Sequence, residues 1–219
     1  MLFKQVKHLF IKEITFEIRQ KYAINGILLY VVSTIFISYL SFKKILNPSV
    51  WNALFWIIML FASVNAVTKS FVQETKGRLL YLYTIASPRA VILSKIIYNS
   101  FLMVCLSVAC FVFYSLFLGG LVQDITLFLI VLIFGSLGFS SVLTLVSAIA
   151  SKTNNNFSLM AILSFPIMVP LLMTLIKVSK NAIDGLDWSV SYNYLLVLML
   201  LNVIVFVLSY LLFPYLWRD

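Results

Sequence analysis

His8 is the single histidine of this 219-residue chain. A histidine metal site, a serine–histidine triad and histidine ligation of haem from the outer side each lack a residue for that reason. His8 also lies on a charged segment, KQVKHLFIKE. The seven acidic residues are scattered. No GxxxxGK[ST] run is present, so ATP, if it is used, is bound by another chain. Cys105 and Cys110 share one apolar run. On a helix their Cα atoms stand about 7.5 Å apart, too far for an easy disulfide. They read as buried packing residues. No catalytic residue, no metal site and no directly bound cofactor is expected, and the chain is not expected to be an enzyme.

The remaining polar groups can act by contact. The segment FVQETKGRLLYLYTIASPRAVILSK spans residues 71–95. Gly77 weakens a helix and allows a turn. Leu79, Leu80, Leu82 and Tyr83 form a short apolar face beside Arg78. Ser87–Pro88 has the form of a helix start, with serine as cap and proline in the first turn. Lys95 is placed to snorkel at the membrane edge. A short helix lying across the membrane face would be a lever for a partner; a plain connecting loop is the alternative. In the N-terminal segment, Leu2, Phe3, Val6, Leu9 and Phe10 form an apolar face, and Lys4, His8 and Lys12 a polar one. The Val6–Phe10 stripe continues to Glu13 and Glu17. These carboxylates either meet basic protein groups, such as those of residues 69–95, or the helix lifts off the membrane after its first turns.

The elements that carry these residues are set by composition. The chain is 63% hydrophobic and 11% charged, against about 45–50% apolar and about 25% charged in soluble domains. Six apolar segments are long enough to span a bilayer: 24–42, 50–68, 96–118, 125–151, 157–176 and 193–216. Every charged residue falls outside them, so neither an intramembrane proton relay nor an intramembrane ion pair is expected. Of the sixteen Lys and Arg, twelve fall on the side of the N-terminus and four on the other. The positive-inside rule then puts both termini in the cytoplasm. The same distribution accounts for the net charge of +9 without nucleic acid. The N-terminal pattern does not read as a cleavable signal peptide. The expected architecture is all-α: one membrane domain over residues 1–219, with an interfacial helix (1–23), spans one and two (24–68), a coupling loop (69–95) and spans three to six (96–216).

Span four carries Gly135, Gly138, Ser140, Ser141, Thr144, Ser147, Ala148 and Ser151 at spacings that favour close helix packing. Pro166 and Pro170 in span five predict a kink or a break, either flexing or static. Residues 177–192 form the longest outer loop. There Trp188 is an interface anchor or, with Asp184 and Asp187, part of a short outer helix that meets a partner.

The spacing Phe71-x-x-Glu74-x-x-Gly77-x-Leu79-x-x-Leu82, then Pro88, Lys95 and Asn99, resembles the cytoplasmic loop of ABC-2-type permeases, and most of all that of the CcmB family. Lys12–Glu13 and Glu17–Ile18–Arg19 resemble the N-terminal acidic pattern of that family. GSLGFSSVLTLVSAIA resembles its fourth span, and FPIMVPLL its fifth. The resemblance implies an inner-membrane permease subunit of the cytochrome c maturation system, present as two copies. It implies an ABC ATPase partner (CcmA-like), a haem-handling membrane protein (CcmC-like), a small membrane subunit (CcmD-like) and a haem chaperone (CcmE-like). Haem and ATP would be handled by those partners. Phe71, Glu74, Gly77, Arg78, Leu79, Leu82, Pro88 and Lys95 would couple to the ATPase. The competing readings are an ABC-2 exporter for lipid, drug or polysaccharide, and a non-transporting membrane scaffold.

Overall fold

The computed structural model describes residues 2–19, 21–42, 47–67, 86–152 and 156–218. Among them are seven helices and no strand: α1 (Leu2–Arg19), α2 (Lys21–Phe42), α3 (Pro48–Val67), α4 (Pro88–Leu118), α5 (Ile125–Ala150), α6 (Asn156–Ile183) and α7 (Trp188–Arg218). Helices α2 to α7 are each long and apolar enough to cross a membrane. The chain is a multi-pass, all-α membrane protein.

Composition alone does not rank these helices, because each is apolar around most of its circumference. Small residues do. In α5, 72% of the spanning residues are buried, against 11% in α7, so α5 forms the axis of the bundle. Gly135 admits the Trp56 ring and Gly138 admits Leu171, each so closely that a Cβ would stand within 3.0 Å of the neighbour. A ladder of short polar side chains ties α5 to α4. Ser136 Oγ lies 3.0 Å from Ser107 Oγ, Ser140 Oγ 2.6 Å from Ser100 Oγ, and Asn99 Nδ2 donates to Thr144 Oγ1 at 2.8 Å. Hydrogen bonds of this kind in a membrane contribute about 0.6 kcal/mol each, rarely above about 1.7. The glycines and serines of span four are packing surface.

On the opposite side of α5, α3 and α6 are joined by a three-residue relay. Trp56 Nε1 donates to Ser179 Oγ at 2.8 Å, Ser179 Oγ lies 2.7 Å from Asn52 Oδ1, and Asn52 Nδ2 donates to the Ile176 carbonyl at 2.8 Å. All three side chains are buried. Ser179→Ala leaves the indole N–H and the amide oxygen without their partner. We expect a loss of about 1–3 kcal/mol, read as a lower unfolding midpoint in detergent; no shift would mean that the relay is dispensable.

Several boundaries differ from the sequence reading. α4 begins at Pro88, the helix start that Ser87–Pro88 predicts, but it runs on unbroken into span three, which therefore starts before 96 and takes Arg89 and Lys95 into the helix. α6 continues through Lys177 and Lys180 to Ile183. The Lys177 ammonium rests 5.3 Å from the centre of the Tyr194 ring, a cation–π contact that makes a charge tolerable there. The long outer loop therefore shrinks to residues 184–187, and no separate short helix exists in it. Helix α6 also runs through Pro166 and Pro170 without a break. Of the two cysteines, Cys110 is buried, but Cys105 is exposed and is no core residue.

Candidate functional site

Helix α1 places its buried seam by four-residue spacing: Gln5, Leu9, Glu13 and Glu17 fall on one face. Leu9 packs on a small cluster formed by Val91, Ile92 and Ile96 of α4, Ala148 of α5 and Phe213 of α7. Phe3, assigned to the apolar face by the sequence, is 88% exposed and lies off that seam. The seam meets protein, and its polar members find polar partners there.

At one end of the seam, Ser87 Oγ donates to Gln5 Oε1 at 3.0 Å. Ser87 holds the cap position of α4 with extended backbone, and Pro88 follows in the first turn. The Ser87 carbonyl accepts from the amides of Ala90 and Val91. Its hydroxyl does not cap α4, in contrast to the sequence expectation, because it is committed to α1. Two turns further along α1, Glu13 Oε1 lies 3.5 Å from Lys95 Nζ and 3.4 Å from Lys12 Nζ. The Lys95 side chain is 2% exposed. Lys95 does not snorkel: it sits two turns inside α4 and is held by a carboxylate. A buried ammonium requires such a partner, since its hydration is lost.

One turn beyond, Glu17 faces the Tyr98 hydroxyl of α4. Arg19 is the last residue of α1. The outward side of the α4 start is tied as well: the Arg89 guanidinium stands 5.2 Å from the Tyr210 ring centre of α7. The first two turns of α4 are thus clamped between α1 and α7. Of the coupling residues named from sequence, Pro88 and Lys95 belong to this clamp. Phe71, Glu74, Gly77, Arg78, Leu79 and Leu82 lie outside the described residues. Sequence reasoning missed Gln5, Ser87's role toward it, and Tyr98. The signal for Gln5 was present, as a polar residue in four-residue register with Leu9 and Glu13.

At the far end of the bundle, Asp184, Asp187 and Trp188 are exposed. Trp188 is nevertheless held by this chain. Its Nε1 donates to Asp124 Oδ2 at 2.8 Å, while Asp124 Oδ1 accepts from the Leu127 amide and caps α5. The Asp124 amide donates to the Ala182 carbonyl at 2.9 Å. Gly185 turns the link with a φ of +65°, close against Gln123. Trp188 here closes the α6–α7 turn onto the α4–α5 turn. Pro166 and Pro170 lie within α6, away from both ends. Among the described residues, no three His, Cys, Asp or Glu side chains come together to hold a metal ion.

The arrangement joins an amphipathic helix to the entry of a transmembrane helix through the Ser87–Gln5 hydrogen bond, the Lys95–Glu13 ion pair and an apolar seam. A family model described as CcmB protein matches residues 4–212. No curated protein sequence matches the chain.

Proposed function

Because the chain belongs to the CcmB family, a membrane permease component of the cytochrome c maturation system, we propose that it couples a partner ABC ATPase to delivery of haem from its chaperone. The segment 69–95 is the coupling element in this reading. ATP-driven closure of the ATPase pair pushes residues 71–82, and the push enters the bundle at Pro88. The observation that supports this is the clamp: Gln5 with Ser87, and Glu13 with Lys95. With α4 fixed to α1 and α7 at its start, displacement there moves helices as a body and is not absorbed in a loose loop. Glu74 and Arg78 would make polar contacts to the ATPase, Leu79 and Leu82 would seat in a groove, and Gly77 and Pro88 would shape the turns. The termini and this face lie in the cytoplasm, the membrane is the bacterial inner membrane, and two copies form the complex. The haem-handling membrane protein, the small subunit and the haem chaperone assemble on the rest, with Asp184, Asp187 and Trp188 as the outer contact. Haem and ATP are held by those partners.

Glu74→Lys and Leu82→Asp are expected to abolish cytochrome c maturation while leaving the chain expressed and membrane-inserted. Haem staining of c-type cytochromes, with a blot for this chain, checks it. Normal maturation in stable variants would end the coupling proposal. Affinity purification in mild detergent, with mass spectrometry of what accompanies the chain, tests the wider reading. An ABC ATPase recovered without a haem-handling protein would favour an exporter of another substrate.

A further inference from the structure

Gln5 meets Ser87, Leu9 packs on the cluster that holds Val91, Glu13 meets Lys95 and Glu17 faces Tyr98. Both helices advance by one turn from each contact to the next, so α1 runs parallel to the start of α4, side by side with it. The other face of α1 carries Phe3, Lys4, Lys7, His8 and Ile11, all exposed. Building on the coupling reading above, we propose that this face is a second docking surface for the same cytoplasmic ATPase, fitted to an acidic patch on it. Three observations carry the assignment.

The first is height. α4 has 31 residues, about 46 Å at 1.5 Å per residue, against a hydrocarbon core of ~30 Å. Trp188, a residue type of membrane interfaces, is bonded to Asp124 of the α4–α5 turn. That turn lies at the outer membrane edge, and the surplus of about 16 Å lies at the Pro88 end. The core then ends near Tyr98, and α1 rises from there beside α4. By the same register Lys7 is level with Arg89, about 13 Å past the core edge. The headgroup layer is only about 5–8 Å deep. Ile11 reaches the headgroups; Phe3, Lys4 and Lys7 stand clear of them, within reach of a protein and not of a lipid. The second is charge. Glu13 and Glu17, the acids of α1, lie on the seam, which leaves Lys4 and Lys7 to set the sign of the outward face. A positive face steers and orients an acidic one. Phe3, 88% exposed, adds an aromatic anchor of the kind that interface cores favour. The third is place. Ser87, bonded to Gln5, is where the coupling segment enters α4. A body that pushes residues 71–82 arrives beside the first turns of α1, and by gripping them it moves α1 and α4 as one piece.

The test is photo-crosslinking of the full chain in its own membrane. Benzoylphenylalanine is placed at position 3, at position 82 of the coupling segment, or at position 40, an exposed leucine of α2, and captured chains are identified by mass spectrometry. Positions 3 and 82 should capture the same ABC ATPase, and position 40 should not. Capture at 82 but not at 3 would overturn the docking face and leave the coupling reading standing. Capture at 3 but not at 82 would keep the docking face and end the role of the coupling segment, and capture at neither would end both. Phospholipid adducts alone at position 3 would show that α1 lies on the bilayer and overturn the assignment. A second measurement isolates the charge. Lys4→Glu combined with Lys7→Glu leaves the seam untouched and should lower the ATPase recovered with the affinity-purified chain several-fold, while Lys4→Arg with Lys7→Arg should preserve it. Equal recovery from the charge-reversed chain would overturn the acidic-patch assignment.

Discussion

Glu13→Gln is expected to destabilise the chain by about 3 kcal/mol, and adding Lys95→Met to recover most of that loss. The reasoning starts from burial. The Lys95 side chain is 2% exposed and that of Glu13 15%, with 3.5 Å between the charged atoms. At an effective dielectric near 20, two unit charges at this separation attract by about 5 kcal/mol. Taking each ion out of water costs several kcal/mol, so the intact pair is close to neutral against an apolar pair of the same volume. Removing only the carboxylate takes away this part of the ammonium's compensation; losing a partner costs about 3–5 kcal/mol in buried pairs. The lower end applies because Glu13 keeps some access to water. Lys95 makes further contacts, so the double-mutant cycle, not either single variant, isolates this pair. Denaturant midpoints in a fixed detergent provide the four corners. Additive losses from the two substitutions would show that the pair is not coupled. In the proposed function, Glu13→Gln should also impair maturation, since it loosens the start of α4 from α1.

Gly135→Ala is expected to cost about 2 kcal/mol, and Gly138→Ala less than about 1. Both glycines sit on α5 with neighbours where a methyl would go. At Gly135 a Cβ would stand 2.8 Å and 2.9 Å from two ring carbons of Trp56. That ring cannot swing away cheaply: its N–H is bonded to Ser179, and it packs edge-to-face with Phe55 and Phe139 at centroid distances of 5.4 and 6.1 Å. Overpacking against a fixed group costs about 1–3 kcal/mol. At Gly138 the close atoms are the two terminal methyls of Leu171, at 2.7 and 2.9 Å. A rotamer change can relieve that clash, and alanine returns up to about 1 kcal/mol of helix preference over glycine. Thermal unfolding of the two variants side by side measures the difference. Equal losses would show that the Trp56 ring yields as readily as a leucine.

The six spans were legible because a run of about twenty apolar residues has few other uses. Most of their ends were legible as well, both ends of α5 among them; the start of span three and the end of span five were not. Charge marks a boundary only where a charge must stay in water. Lys95 has Glu13 and Lys177 has the Tyr194 ring, so helices continue past them. The four-residue register of α1 carried Glu13 and Glu17 to the protein side, yet it could not name Lys95 or Tyr98 as what they meet. The face of each cysteine was hidden by uniformity: α4 is apolar all round, so no periodicity separates exposed Cys105 from buried Cys110. Two prolines suggested a kink or a break in α6; there is no break, and the helix holds through both. The lever residues between 71 and 82 lie outside the described residues.

The relay between α3 and α6 also bears on biosynthesis. Asn52 and the Ile176 carbonyl that receives its amide are 124 residues apart in the chain. At about 5–20 residues per second, a ribosome needs roughly 6 to 25 seconds to make that stretch. For that interval α3 is in or near the membrane with the indole of Trp56 and the amide of Asn52 lacking their final acceptors. Hydrocarbon cannot supply them. The first hairpin must therefore be sheltered, at the lipid headgroups or against the polar wall of an insertase, until the sixth helix emerges to claim it.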